Sequence, residues 1–164
     1  MALIIRAADG NDLAAVLDVG HRTWPVTYGP IAGADYVAMG LAKWWTEDAT
    51  VPAIRAGRVT VAELDGEVVG IATVGPYETH LMLWKLYVLP ECQGKAIGSA
   101  LLDAVVARAM GEYPNIRLSY LVGNTSAERF YRSKGFVEVG RESSGDGIPQ
   151  SVWMELVLDP KEEA

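Results

Sequence analysis

One segment constrains this chain more than any other: Leu86-Tyr87-Val88-Leu89-Pro90-Glu91-Cys92-Gln93-Gly94-Lys95-Ala96-Ile97-Gly98-Ser99-Ala100-Leu101-Leu102. A strand from Leu81 to Leu89 stops at Pro90, which has no N–H to give to a ladder. A loop of small residues follows and opens from Gly98 into a helix, whose apolar positions Leu101, Leu102, Val105, Val106, Ala109 and Met110 recur at helical spacing and which ends before Pro114. Such a junction presents backbone N–H groups without partners at the positive end of a helix dipole, a ready seat for a phosphate or pyrophosphate. The spacing fits neither a Walker loop nor the Gly-x-Gly-x-x-Gly of dinucleotide sites. Taken alone, a small-residue loop is more often a plain structural turn, so its meaning depends on the rest of the chain.

Strand and helix patterns are mixed along the chain. Leu3 to Ala7 reads as a first strand, and Asp9 with Asn11 or Asp12 signals a helix whose apolar face is Leu13, Val16, Leu17 and Gly20. That helix is expected to end near Pro25. Trp24 to Trp45 is aromatic and punctuated by glycine, with a second helix around Tyr36 to Trp45. Val59 to Leu64 and Glu67 to Val74 form an antiparallel hairpin about Asp65-Gly66, a dipeptide suited to positive φ. Ile116, Leu118, Tyr120 and Val122 alternate as a half-buried strand. Thr125 with Glu128 has the form of a capping box for a helix from about Ser126 to Lys134, which Gly135 would stop. Phe136 to Arg141 and Ser151 to Leu158 close the chain as strands around the loop from Ser143 to Gly147. The expectation is one α/β domain over 1–164, with a mixed, mostly antiparallel sheet of about seven strands flanked by about four helices.

The second informative segment is Asn124-Thr125-Ser126-Ala127-Glu128-Arg129-Phe130-Tyr131-Arg132-Ser133-Lys134-Gly135-Phe136. Together the two segments resemble the GCN5-related N-acetyltransferase (GNAT) superfamily. Gln93-Gly94-Lys95-Ala96-Ile97-Gly98 matches its Gln/Arg-x-x-Gly-x-Gly/Ala signature, and the second segment matches its Asn-x-x-Ala-x-x-Phe-Tyr-x-x-x-Gly-Phe pattern at every position, Ala127 included. The resemblance implies acetyl-CoA as cosubstrate and a sheet whose fourth and fifth strands splay. It places the pantetheine arm and thioester on backbone groups of Leu86, Tyr87 and Val88. Gln93 belongs to the loop, and main-chain N–H groups of Gly94, Lys95, Ala96, Ile97, Gly98 and Ser99 would cradle the pyrophosphate. Asn124 would bond the cofactor arm, and Tyr131 would lie near the sulfur. A neutral primary amine would attack the thioester directly while N–H donors stabilise the oxyanion, and Tyr131 would protonate the departing thiolate.

Two positions depart from the family pattern. Ala96 stands where the signature has its first glycine, a substitution that matters if the backbone there needs positive φ. Ser119 occupies the position where the ribosomal-protein branch often carries a glutamate base, which disfavours that branch. Glu78 and His80, just before the fourth strand, are candidates for the base, each with a solvated-loop reading beside it. Trp24 and Tyr28, with Trp44 and Trp45, are candidates to wall the acceptor pocket, although aromatics at i and i+4 are more often core. Glu47 and Asp48 are candidates to attract a cationic amine, and Lys95, Arg129 or Arg132 to meet a phosphate, each against a plain surface reading. Cys92 reads as structural, since no motif links it to His21 or His80.

The favoured activity is acetyl transfer to a small primary amine, a polyamine or an amino-acid-like compound. The alternatives are a protein or peptide N-terminal acetyltransferase and a CoA-binding regulatory module without turnover. The formal charge of −7 argues against nucleic acid as a partner. No apolar run approaches the ~20 residues of a membrane span, and the single cysteine suits a reducing compartment, so a cytoplasmic location is expected. No metal site is expected. A homodimer is allowed, with Ser151 to Leu158 as the segment that would pair across its interface.

Overall fold

A computed structural model describes residues 2–158. Seven strands form one sheet in the order β1-β2-β3-β4-β5-β7-β6: β1 (Leu3–Ala7), β2 (Val59–Leu64), β3 (Glu67–Tyr77), β4 (His80–Val88), β5 (Asn115–Leu121), β6 (Val137–Glu142) and β7 (Ser151–Val157). Every neighbouring pair is antiparallel except β4 with β5. Around the sheet lie α1 (Leu13–Ala32), α2 (Ala34–Trp44), α3 (Glu47–Arg55), α4 (Ile97–Ala109) and α5 (Thr125–Ser133). β3 is buried without interruption from Val69 to Thr73, as a strand covered on both faces must be, and α1 and α4 both pack against it. Leu101 and Leu102 of α4 reach the same core as Val61, Ile71, Ile116, Leu118 and Met154.

The expected β2–β3 hairpin forms about Asp65 and Gly66, both at positive φ (51° and 89°), the geometry of a type I′ turn. The parallel β4–β5 pairing is short, Leu81 with Ile116 and Met82 with Arg117, after which the strands part. This is the splay the sequence resemblance implied.

Several local expectations are corrected. α1 does not end at Pro25 but runs through Pro25 and Pro30 to Ala32. Each interior proline costs about 3 kcal/mol through a missing hydrogen bond and ring crowding. The same helix buries Trp24 and Tyr28, and an aromatic buries about 150–250 Å², on the order of 4–6 kcal/mol at ~25 cal/mol per Å². Tertiary burial therefore outweighs the local penalty. α3 raises the helix count among the described residues to five; Thr46 caps it by accepting from the Ala49 N–H, and Pro52 inside it hides it from propensity. β3 extends to Tyr77 because β4 still pairs with it there, so His80 lies on β4 and not before it. α5 is capped by Asn124, whose Oδ1 accepts from the Ala127 N–H at 3.2 Å, and not by Thr125; Glu128 pairs instead with Arg132. β7 is hydrogen-bonded on both sides, by β5 and β6, so it has no free edge to offer a second copy.

Two glycines set how closely the N-terminal helices approach. A Cβ at Gly20 would stand 2.0 Å from the Trp45 ring, and one at Gly40 2.0 Å from the Trp24 ring. The indoles lie directly on bare backbone, which ties α1 to α2 and to the turn before α3.

Candidate active site

The splay turns backbone into a binding surface. The Leu89 N–H donates to the Val69 carbonyl, and antiparallel alternation then points the N–H and C=O of Tyr87 to β3 while those of Leu86 and Val88 face the gap beside β5. Among the three backbone positions expected there, Tyr87 is thus committed to the sheet, and its side chain turns to the other side of the site. Gln93 Nε2 donates to the Val88 carbonyl at 3.0 Å, bracing the loop against the end of β4.

The loop and the start of α4 supply donors. Gly94 (φ 82°) and Ala96 (φ 63°) are both left-handed, and Ala96 is the N-cap of α4. The first helical bond is that of the Ala100 N–H to the Ala96 carbonyl; among the described residues the N–H groups from Gly94 to Ser99 find no acceptor. Gly94, Lys95 and Ala96 are exposed, Gly98 and Ser99 half-buried and Ile97 buried. A row of free donors on a helix start fits a pyrophosphate. At Gly98 a Cβ would meet Phe130 and Val88 at ordinary contact distance, so the loop, the end of β4 and α5 converge.

From α5, Tyr131 is buried, with Phe130 and Phe136 at ring-centroid distances of 5.2 and 5.5 Å. Burial pushes its hydroxyl well above the usual phenol range, and nearby Tyr28 reinforces the shift. It is therefore protonated at neutral pH and able to give a proton. Asn124 uses its carbonyl oxygen as the α5 cap, which leaves its amide NH₂ for a ligand.

On the opposite side of Tyr87 lies a cavity of about 950 Å³ walled by α1–α3, β3–β5 and the β6–β7 hairpin. Trp24 and Tyr28, the expected wall residues, do line it while also belonging to the core, as does Trp45, and half-buried Trp44 lines it beside them. The Trp24 ring stacks on Tyr36 at 5.6 Å, and the Tyr28 and Tyr87 hydroxyls are 2.9 Å apart. Burial raises both phenols. Glu47 and Asp48 lie in the first turn of α3 and do not line the cavity; nor do Glu78, on the exposed β3–β4 turn, or His80, whose Nδ1 is 2.7 Å from Asn115 Oδ1 at the far end of β4. Cys92 is buried and free.

The sequence reading missed Lys85, Arg58, Lys43, Glu142 and Trp153 on the cavity wall. Lys85 is the most unusual. Its Nζ donates to the Trp44 carbonyl and sits 4.0 Å above the Trp45 ring, and burial lowers its pKa to about 8. No carboxylate pairs with it among the described residues; desolvation alone causes the shift. Only its place on β4, two residues before Tyr87, hints at this role.

A family model described as an acetyltransferase (GNAT) domain matches residues 55–138. Among solved structures, the PaiA N-acetyltransferase of Thermoplasma acidophilum in complex with coenzyme A is 22% identical, with TM-score 0.82, over 96% of this chain and 99% of that one. Ard1 from Thermoplasma volcanium is 20% identical, with TM-score 0.79, over 96% and 99%. The ribosomal-protein-alanine N-acetyltransferase of Brucella melitensis is 26% identical, with TM-score 0.71, over 94% and 99%. No curated protein sequence matches significantly. Among the described residues no helix is long and apolar enough to cross a membrane.

Proposed function

The chain belongs to the GNAT acetyltransferase family, whose N-acetyltransferases use acetyl-CoA, and on that premise we propose that it acetylates the primary amine of a small molecule held in the aromatic cavity. The observation that carries this reading is the position of the cavity, walled by Trp24, Tyr28, Trp44, Trp45 and Tyr87 and abutting the point where β4 and β5 part. Concave, mostly aromatic sites with a few polar groups suit small ligands. The same reading takes residues 1–164 as a single transferase domain.

Acetyl-CoA, when bound, supplies an activated acetyl group as its thioester. In this proposal the free N–H groups from Gly94 to Ser99 hold the pyrophosphate, and Gln93 keeps the loop in register by its bond to Val88. Leu86 and Val88 offer their gap-facing N–H groups, and Asn124 its amide NH₂, to the cofactor arm. Backbone donors held rigid by the β3–β4 pairing stabilise developing negative charge with little reorganisation. Tyr131, kept protonated by burial, gives its proton to the departing sulfur, and the proton lost by the attacking nitrogen restores the phenol. Aromatic side chains of the cavity orient the amine and exclude water.

A peptide N-terminus is the second reading, favoured by the cavity's size, since about 950 Å³ is at the upper end of small-ligand sites. The test is thiol release from acetyl-CoA against amino acids, polyamines, aminoglycosides and short peptides, with products identified by mass spectrometry and acetyl-CoA binding measured in parallel. Turnover on small amines supports the proposal, and turnover confined to peptides replaces it with the second reading. Acetyl-CoA binding without turnover on any amine points to a regulatory module.

A further inference from the structure

The cavity wall carries a charge pattern opposite to that of the whole chain. The protein has a formal charge of −7, yet the charged side chains lining the cavity are Lys43, Arg58 and Lys85 against the single carboxylate of Glu142. Glu142 is itself engaged, accepting from Trp153 Nε1. Lys43 and Arg58 are exposed at the rim, and neither forms an ion pair among the described residues. Lys85 lies deeper. Its ammonium is fixed between the Trp44 carbonyl and the face of Trp45, and one contact to a carbonyl and one to a ring leave an ammonium donor free. A half-buried cation without a carboxylate is costly, and such a group facing a cleft marks a candidate ligand site.

We propose that the acceptor amine also bears a carboxylate, and that Lys85 is the residue that reads it. This deepens the proposed function and rests on it: the amine of an amino-acid-like compound lies toward the β4–β5 gap at Tyr87 while its carboxylate closes on Lys85, two residues back along the same strand. Residues i and i+2 of a strand share a face about 6–7 Å apart, a spacing suited to a compact amino acid. A polyamine fails on the same geometry, because its second ammonium would face Lys85 with Arg58 and Lys43 behind it, and like charges brought together in a partly dry site repel strongly. A hydrogen bond between two ionised groups adds selectivity for the acid over its neutral amide, on the order of tenfold or more.

The test uses the full chain with acetyl-CoA and matched pairs: α- and ω-amino acids, the primary amide of each, spermidine, and O-phosphoethanolamine as a dianion control. The expected result is a kcat/KM at least about tenfold higher for acids than for their amides, with spermidine below both. In Lys85→Gln the acid-to-amide ratio falls toward one, and in Lys85→Arg most of it is kept. Equilibrium binding of the same amino acids, followed by tryptophan fluorescence without acetyl-CoA, should weaken about tenfold in Lys85→Gln. That readout does not depend on turnover, so it decides the carboxylate assignment even if the transferase reading fails. Should Lys85→Gln misfold by circular dichroism, Lys85→Met replaces it. Amides or spermidine used as well as acids, a better rate with O-phosphoethanolamine, or an acid-to-amide ratio unchanged by the substitution each overturns the inference.

Discussion

A lysine that is half-buried and, among the described residues, has no carboxylate partner should hold the fold back, and Lys85→Met measures by how much. Burial takes its pKa from 10.5 to about 8, which, at ~1.4 kcal/mol for each tenfold change in proton affinity, sets an upper bound of about 3 kcal/mol on the cost of folding with this side chain charged. The cavity is open to water, which lessens the penalty, and the variant gives up a hydrogen bond to Trp44 and the contact with the Trp45 ring; together these offset about 1–2 kcal/mol. Methionine fills the same volume with no charge. The net expectation is a gain of about 1–2 kcal/mol at pH 7, a rise in Tm of about 3–6 °C for a chain of this length. The pH dependence has a definite sign. The folded pKa lies below the unfolded one, so between about pH 8 and 10.5 the unfolded chain binds more protons, wild type gains stability as pH rises, and the advantage of the variant shrinks. Tyr28, Tyr36 and Tyr87 on the same wall are pushed up by burial, so they do not ionise ahead of Lys85. Chemical denaturation of both proteins at pH 7 and pH 9.5 provides the comparison. A Met variant no more stable than wild type at pH 7, or an advantage that grows with pH, would refute the reasoning.

Gly40→Ala drives a methyl into the Trp24 ring, 2.0 Å away, and should cost about 2–3 kcal/mol in urea denaturation; an unchanged midpoint would mean that the α1–α2 approach is looser than described. Asp12 accepts from the Arg6 guanidinium at 2.8 and 2.9 Å and from the Asp9 N–H at 2.8 Å, and the Arg6 hydrogen bonds hold its carboxyl below the usual range. Its folded pKa lies below the unfolded one, so this stability is present above about pH 4 and is lost as pH falls through the folded pKa. Asp12→Asn should therefore lose about 1–3 kcal/mol at pH 7 and progressively less as pH falls below about 4 and through the folded pKa, read from melts across that range. Ala96→Gly relieves a left-handed alanine (φ 63°) and should raise stability by about 1 kcal/mol without weakening acetyl-CoA binding by calorimetry; weaker binding would show that the methyl group is part of the seat.

The proposed cofactor half of the site is legible in the sequence because it is built from backbone. A proline that ends a strand, small residues that allow positive φ and a helix start leave their marks in contiguous sequence, from Leu86 to Leu102 and from Asn124 to Phe136. The acceptor half is not, because distant segments assemble it. Lys85 reads as a lone charged residue in an otherwise apolar strand until Trp44 and Trp45, some forty residues earlier, close over it. α1 was cut short at Pro25 because local rules weigh a missing N–H but not the burial of Trp24 and Tyr28. Thr125 and Glu128 have capping-box spacing, yet Asn124 lies one residue earlier with a stronger acceptor, and Glu128 found Arg132 instead. Charge shows the same divide. The acidic pair Glu47 and Asp48 suggested a welcome for a cationic amine, whereas the charged side chains that line the cavity are mainly basic.

In the proposed function the free N–H row and Tyr131 serve one reaction, acetyl transfer from acetyl-CoA with Tyr131 as the proton donor to sulfur. Tyr131→Phe keeps the ring packing against Phe130 and Phe136 and removes only the hydroxyl. The most direct measurement is the turnover of this variant beside its acetyl-CoA affinity, on the best amine of the panel. The account predicts affinity within about twofold of wild type and kcat lower by about 10²–10⁴, the usual contribution of a positioned acid. A kcat equal to that of wild type would contradict it.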